Sequence, residues 1–218
     1  PFALGTLWLL YGICRQVGLA ENRARLVVYA TAIGTMFWKY TVTDYSQVTQ
    51  GFFLMGTVHF LLRGRAGDTY RASAFFAGLI VMKLVNVVLW APCLLYLLIL
   101  HRRDGREFMS QAMRFASIVF VAGLALLLYN YLRFGDPLQS GYSSAQNKFT
   151  LEFLRRDIAD SLLTPQRGLF TFNPILLAAI PGWFVFFRKK MPEAVLLLGI
   201  FALWFPFMAS WMSYQGGW

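Results

Sequence analysis

The chain has 218 residues, of which 58% are hydrophobic and only 14% are charged, and its mean hydropathy is +0.53. An ordinary soluble domain is about 45–50% apolar and about one-quarter charged, so these values favour an all-α, polytopic bundle of transmembrane helices. The net charge of +10 would suit a nucleic-acid-binding protein. We exclude that function because the excess charge is divided among four short stretches, each with a net charge of +2: 14–25, 63–71, 101–114 and 188–193.

The same charge distribution predicts the orientation in the membrane. Short loops rich in Lys and Arg stay on the cytoplasmic side, which assigns the four basic stretches to that side. The long hydrophilic segment 134–173 has four basic and four acidic residues and is predicted to face outward. We therefore expect a multi-pass integral protein of the bacterial inner membrane or an equivalent membrane. Residues 1–218 would form one transmembrane domain, with 134–173 as its external loop.

The first predicted elements are three helices that cross in alternating directions. Residues 1–13 are predicted to run inward, 26–38 outward and 48–62 inward. Because the chain begins at Pro1 inside an apolar run, we expect it to be a fragment of a longer protein. Asp44, between the second and third helices, is a candidate acid–base or metal-coordinating group, with a solvated loop carboxylate as the alternative.

Three side chains within the apolar runs are given no chemical role. His59 lies mid-span among Phe and Leu. An intramembrane His is a functional candidate by default, but without an evident partner we favour a packed contact between helices. No disulfide is expected between Cys14 and Cys93, and neither has a metal-ligand neighbour in the sequence.

Residues 72–100 form one apolar run of 29 residues, which would be about 43 Å long as a single helix. That is too long for one comfortable crossing, and both flanking stretches are basic, so an even number of crossings should separate them. We predict a hairpin of two short helices with its apex near 83–86, recessed in the membrane, and with Pro92 disturbing the second arm. Lys83 is costly in an apolar run unless it faces a cavity or partner. It is therefore a candidate phosphate or carrier contact, and a Lys reaching the interface is the alternative.

The remaining elements surround the long loop. Within that loop, residues 147–163 show helical spacing of apolar side chains, and Pro165 should end the helix. This helix would lie along the outer membrane face or cap a cavity. Three further crossings are predicted: 115–132 outward, 174–187 inward with a kink at Pro181–Gly182, and 194–211 outward with an interruption at Pro206.

The stretch TPQRGLFTFNPILLAAIPG, residues 164–182, resembles a recurring segment of the polytopic C-type glycosyltransferases. These are lipid-carrier-dependent enzymes related to protein O-mannosyltransferases and aminoarabinose transferases. Three other stretches are similar to segments of the same proteins in the same order: 77–98, 129–142 and 210–218. One departure is Ser46-Gln47, where many relatives carry Ser-Glu.

The resemblance implies transfer of a sugar from a polyprenyl-phosphate carrier to an acceptor at the external face. Membrane lipid and the lipid-linked sugar would be the partners, and no cofactor is implied beyond a divalent metal ion, whose involvement stays open. The catalytic acid of the family would precede Pro1. Arg167 suits the leaving phosphate because guanidinium binds phosphate oxygens bidentately; the alternative is that it reaches lipid headgroups. Candidate sugar-binding residues, with interfacial anchoring as the alternative, are Tyr142, Tyr214, Gln215 and Trp218.

Two other functions are also compatible with the sequence. A transporter or lipid-handling protein would be expected to show internal symmetry or paired broken helices, whereas the sequence has one broken hairpin and no evident repeat. A non-catalytic assembly subunit could share the same fold. For the glycosyltransferase, the predicted sidedness brings Arg167, Lys83 and 214–218 to one outward-facing cavity.

Overall fold

The computed structural model describes residues 1–42, 46–139, 158–165 and 168–209. Every regular element in these residues is helical, which confirms the all-α prediction. The chain divides into two compact units, Pro1–Leu138 and Gln139–Trp218, and each is described by itself.

Unit 1 contains seven α-helices and one 3₁₀ segment among its described residues. They are α1 (Phe2–Gln16), α2 (Glu21–Gly34), α3 (Phe37–Val42), α4 (Ser46–Arg63), α5 (Asp68–Met82), the 3₁₀ segment Leu84–Leu89, α6 (Trp90–Leu100) and α7 (Gly105–Phe134). The described part of unit 2 contains helical residues 158–163, α8 (Leu169–Phe172), the 3₁₀ segment Pro174–Ala178, α9 (Ala179–Lys189) and α10 (Met191–Ala209).

Glycines set the close approach of α1 to α4. A Cβ atom at Gly5 would lie 2.6 Å from Cε2 of Phe52, and one at Gly12 would lie 2.5 Å from Cε1 of His59. Small residues at such positions allow two helix backbones to approach each other closely. Because the partner position increases along α4 as it increases along α1, the two helices run parallel.

The packing of α5 shows the direction of its neighbours. Gly56 of α4 faces Phe75 and Gly78 of α5 faces Phe53, so α4 and α5 are antiparallel. Thr69 Oγ1 donates a hydrogen bond to Gln111 Oε1 (2.6 Å), and Ser73 Oγ, also on α5, donates one to the Phe115 carbonyl of α7 (2.6 Å). These contacts make α5 and α7 parallel.

Parallel α5 and α7 require the chain between them to run back. That return is made by Leu84–Leu89 and α6, which agrees with the predicted hairpin of two short arms and with its apex at 83–86. Pro92 lies in the first turn of α6, where its missing N–H would have no helical partner. The second arm is thus a 3₁₀ helix over Leu84–Leu89 and an α-helix from Trp90, and the expected disturbance by Pro92 coincides with this change in winding.

Helix α7 begins ten residues earlier than the predicted crossing at 115. Asp104 caps it, because Oδ1 accepts hydrogen bonds from the backbone N–H groups of Arg106 and Glu107, both at 3.0 Å. A side-chain oxygen at this position satisfies backbone donors that have no partner within the helix. Most of the basic stretch 101–114 is therefore helical, and the connection from α6 is only 101–104.

Pro181 is the third residue of α9, which follows the 3₁₀ segment Pro174–Ala178 directly, and the kink predicted at Pro181–Gly182 stays a prediction. The interruption predicted at Pro206 is corrected. Pro206 lies inside α10, which continues to Ala209. Of the predicted loop helix, 158–163 is helical and ends before Pro165, whereas 147–157 lies outside the described residues.

Two described helices, α7 and α10, are long and apolar enough to cross a membrane, judged by length and composition alone. A shorter apolar helical stretch covers Leu84–Leu100. Length and composition therefore give weak support for membrane association and do not establish the full set of crossings predicted from the sequence.

Candidate functional site

Lys83 is the one predicted site residue within the described part of the chain. The others lie outside it: Asp44, Tyr142, Arg167, Tyr214, Gln215 and Trp218. The predicted convergence of Arg167, Lys83 and 214–218 on one cavity therefore stays a prediction. The candidate site can be built from Lys83 and the side chains around it in unit 1.

Lys83 lies at the point where α5 stops. Its backbone is extended, with φ −156° and ψ 116°, and its N–H still donates to the Leu79 carbonyl at 3.3 Å. The chain then turns at once into the 3₁₀ segment, because Asn86 N–H donates to the Lys83 carbonyl at 3.0 Å. The Lys83 side chain is half-buried. A cation is thus held at an interruption between two apolar helices.

Asn86 ties this interruption to the helices beside it. The side chain is buried, with 1% of its surface exposed. Its Nδ2 donates to the Leu79 carbonyl at 2.8 Å and to Gln50 Oε1 of α4 at 3.2 Å. Gln50 Nε2 in turn donates to Ser46 Oγ at 3.0 Å. A polar chain of side-chain amides therefore links the break after α5 to the first turn of α4.

Sequence reasoning placed Asn86 at the apex but missed its partners. A polar amide in an apolar run was the available signal, because such groups must find a hydrogen-bond partner when buried. Gln50 is 36 residues away in the chain, and no local pattern connects the two.

The break is recessed relative to α7. The hydrogen bonds between α5 and α7 join residues 42 positions apart, which places Lys83 level with about residue 125. Helix α7 continues to Phe134, roughly 14 Å farther at 1.5 Å per residue. The apex therefore stops short of the end of α7, and its predicted recess in the membrane stays a prediction.

The indole of Trp90, one turn after Asn86, adds an unused donor. Its Nε1 is buried and has no hydrogen-bond partner within the described residues. Leaving a buried donor unsatisfied costs about 1–3 kcal/mol, so an acceptor supplied by a ligand would be favourable there. Lys83 offers a positive charge and Trp90 one donor, whereas both N–H groups of the Asn86 amide are already used within the protein.

A second polar cluster surrounds Asp68, at the opposite end of α5. The carboxylate is buried and accepts from Arg63 Nε (2.7 Å) and a second Arg63 nitrogen (2.5 Å). It also accepts from Arg71 (3.0 Å) and from the Arg65 backbone N–H (3.0 Å). These bonds, chiefly those from Arg63, lower the pKa of Asp68 to about 2.

In the sequence, 63–71 stands out only as a basic stretch, and this network was not predicted. The signal was an Asp preceded by two glycines, Gly64 and Gly67, which adopt φ of +60° and +81°. Glycine takes these left-handed conformations without steric cost. The tight turn between α4 and α5 brings Asp68 back to Arg63.

His59 has the packing role expected for it. It is buried between α4 and α1, 6.0 Å from Trp8 between ring centroids. The partner that the sequence did not reveal is Gln16, whose Nε2 lies 3.3 Å from His59 Nδ1. Cys14 and Cys93 are both buried and free.

Within the described ranges, no group of three or more His, Cys, Asp or Glu side chains could hold a metal ion. Comparisons of the chain with protein-family models, curated proteins and solved structures find no match. The glycosyltransferase resemblance therefore depends on the sequence motifs alone. In the described part of the site Lys83 supplies a positive charge, and the acid proposed from the sequence, Asp44, lies outside the described residues.

Proposed function

We propose that this protein is a membrane glycosyltransferase that moves a sugar from a polyprenyl-phosphate carrier to an acceptor at the external face. The observation that carries the proposal is the helix break at Lys83, a half-buried cation in an apolar run, whose backbone carbonyl accepts a hydrogen bond from the N–H of Asn86. A lipid phosphate needs such a site, because its charge must be balanced within apolar surroundings. The ordered resemblance of four sequence stretches to C-type glycosyltransferases adds the reaction type.

The proposed membrane location is supported by the small fraction of the apolar surface of α7 and α10 that is buried by the rest of the protein. Only 11% of the most apolar 18-residue window of α7 is buried, and 17% of that of α10. A core helix of similar composition in a soluble protein would be mostly buried, because large exposed apolar patches are rare in soluble monomers. Lipid would cover these faces without the cost that water imposes.

The multi-pass arrangement is supported by the alternating helix directions in unit 1. One end carries the connections 17–20, 64–67 and 101–104, which lie within three of the basic stretches. The other end carries the start of α4 and the break at Lys83. Basic connections belong on the cytoplasmic side, so the Lys83 end is assigned to the external face, where the sugar would be transferred.

In the proposed reaction, cations and hydrogen-bond donors stabilise the negative charge that develops on the departing carrier phosphate. Lys83 supplies one cation, and the sequence resemblance implies a role in phosphate binding for Arg167. Asn86 and Gln50 hold the backbone turn that presents Lys83. Deprotonation of the acceptor requires a carboxylate; Asp44, which precedes α4 by two residues in the sequence, is the candidate within this chain, and the resemblance places the main catalytic acid before Pro1.

A transporter or lipid-handling protein is the second candidate, favoured by the same helix break, since interrupted helices line substrate sites in many transporters. The two functions differ in the product. A transporter would move the carrier lipid unchanged, whereas the glycosyltransferase would break the bond between its phosphate and the sugar.

The test uses the natural full-length protein in membranes, supplied with a panel of radiolabelled polyprenyl-phosphate sugars. Lys83→Gln and Arg167→Gln should each lower sugar transfer by about 100-fold, the typical effect of removing one group that stabilises developing charge. Lys39→Gln, which also removes one cation, is the matched control and should retain transfer. Unchanged transfer in both site variants, at equal protein levels, would contradict the proposal.

A further inference from the structure

The helix directions in unit 1 bring its arginine-rich stretches to one end. Helix α1 is parallel to α4, α4 is antiparallel to α5, and α5 is parallel to α7. The ends of α1 and α4 therefore lie with the starts of α5 and α7. Three connections, 17–20, 64–67 and 101–104, meet at this end.

All ten basic side chains of the stretches that contain these connections are arginines, and none is a lysine. We call their surface the arginine face. Its members are Arg15, Arg23, Arg25, Arg63, Arg65, Arg71, Arg102, Arg103, Arg106 and Arg114. Lysine would serve equally well to orient a helix by charge. Exclusive use of guanidinium favours bidentate binding of phosphate oxygens, which lysine cannot provide.

The four acidic residues of the same stretches are already engaged within the protein. Asp68 is buried among Arg63 and Arg71, and Glu21 forms an ion pair with Arg25. The carboxylate of Asp104 caps α7. Glu107 accepts a hydrogen bond from Gln111 at 2.6 Å. Three arginines of the face, Arg25, Arg63 and Arg71, are therefore ion-paired, and the ten arginines and four acids leave a net charge of +6.

Three arginines at the start of α7 are the most available. Arg102, Arg103 and Arg106 are exposed, and across the ranges that the structure describes no carboxylate forms an ion pair with them. They follow one another closely around the capped start of the helix. A doubly coordinated phosphate would fit such a cluster.

An exposed apolar stripe continues from these arginines along α7. Met109, Met113 and Phe120 are 57%, 64% and 68% exposed. They follow Arg106 by 3, 7 and 14 residues, so all four lie on one side of the helix. The surface therefore changes from cationic at the end of the helix to apolar along its length.

We propose that the start of α7 is a binding site for an anionic phospholipid. Its headgroup phosphate is bound by Arg102, Arg103 and Arg106, and an acyl chain lies along Met109, Met113 and Phe120. Charge complementarity and the apolar continuation both match this one occupant. An acidic protein or a nucleic acid would match the charge and leave the stripe exposed. The site lies at the opposite end of unit 1 from Lys83, so it stands or falls independently of the sugar-transfer proposal.

The test measures lipid binding by the purified chain in neutral detergent, using native mass spectrometry. Phosphatidylglycerol and phosphatidylcholine with identical acyl chains are compared. We expect roughly tenfold tighter binding of phosphatidylglycerol, because each basic residue near an anionic headgroup contributes appreciably. The triple variant R102Q/R103Q/R106Q should lose this preference, and R102K/R103K/R106K should keep only part of it.

The matched control is K148Q/R155Q/R156Q, which removes three cations from the segment 134–173 and should keep the preference. Circular dichroism verifies helix content in each variant. If the glutamine variant does not fold, the proposal is decided by the binding of the two lipids to the wild type and to R102K/R103K/R106K. The proposal would be overturned if the wild type bound the two lipids equally. It would also be overturned if the control lost the preference for phosphatidylglycerol as fully as R102Q/R103Q/R106Q, or if polyadenylate displaced the bound lipid.

Discussion

At the scale of single residues, the most constrained group is the carboxylate of Asp68. It is buried, and it accepts four hydrogen bonds from Arg63, Arg71 and the Arg65 backbone. A buried charge is tolerated when all its oxygens are paired in this way. The network joins the end of α4 to the start of α5, so it should contribute to the stability of unit 1.

Replacement of Asp68 by Asn should lower the free energy of unfolding by about 2 kcal/mol, because two arginines lose a charged acceptor. Thermal and chemical unfolding in detergent, followed by circular dichroism, would measure it. Asp104→Asn is the matched control: it also removes one carboxylate from this end, but Asn caps a helix about as well as Asp. A similar loss of free energy of unfolding in both variants would contradict a specific stabilising role for the hydrogen bonds around Asp68.

Asp68 also predicts a dependence of stability on pH. Its pKa is lowered from 3.8 to about 2 in the folded protein, so the unfolded chain binds a proton more readily. The stabilisation is present above pH 4 and is lost as the pH falls from about 4 to about 2, a change of about 2 kcal/mol. Between pH 4 and pH 2, the free energy of unfolding should fall more steeply with decreasing pH for the wild type than for Asp68→Asn. Parallel curves would contradict this.

At the scale of helices, glycines and an apolar hairpin control the packing. Sequence reasoning found the hairpin because 29 apolar residues between two basic stretches admit few arrangements. It did not find the extent of α7, since the cap by Asp104 depends on side-chain geometry that charge counting does not capture. Nor did it predict that Gly56 and Gly78 face Phe75 and Phe53, because spacing along one helix does not identify its neighbour.

The packing of α4 on α5 predicts opposite effects for two helical glycines. A Cβ at Gly56 would lie 1.9 Å from Cδ1 of Phe75, so Gly56→Ala should destabilise the protein by about 1–3 kcal/mol through overpacking. A Cβ at Gly123 of α7 would meet nothing within 4 Å. Gly123→Ala should leave stability unchanged or raise it by about 0.5–1 kcal/mol. Unfolding temperatures measured side by side would test this, and equal effects would refute the described α4–α5 contact.

At the scale of the whole molecule, the helix directions of unit 1 agree with the alternation predicted from charge. Among the described helices, only α7 and α10 are long and apolar enough to cross a membrane, so the other predicted crossings stay predictions. Fewer of the predicted site residues than of the predicted helices can be compared with the structure. Lys83 was predicted because a lone cation in an apolar run has few roles, whereas Arg167 and 214–218 lie outside the described residues.

Topology can be tested in whole cells with single cysteines in a chain that lacks Cys14 and Cys93. A membrane-impermeant maleimide should label Leu138→Cys from outside, because 138 follows the end of α7 that we propose to be external. Arg102→Cys, in the connection before α7, should be labelled only after the membrane is opened. Labelling of both positions in intact cells would place them on one side and would contradict the assigned orientation.

The central claim is that the break at Lys83 receives a lipid-linked phosphate, and binding tests it most directly. The chain in neutral detergent is titrated with a short-chain polyprenyl phosphate and with the matching polyprenol. We predict that the wild type binds the phosphate at least about tenfold more tightly and that Lys83→Gln removes most of this difference. Lys39→Gln and the R102Q/R103Q/R106Q variant should retain the difference. Equal binding of phosphate and alcohol by the wild type, or a preference unchanged by Lys83→Gln, would contradict the account.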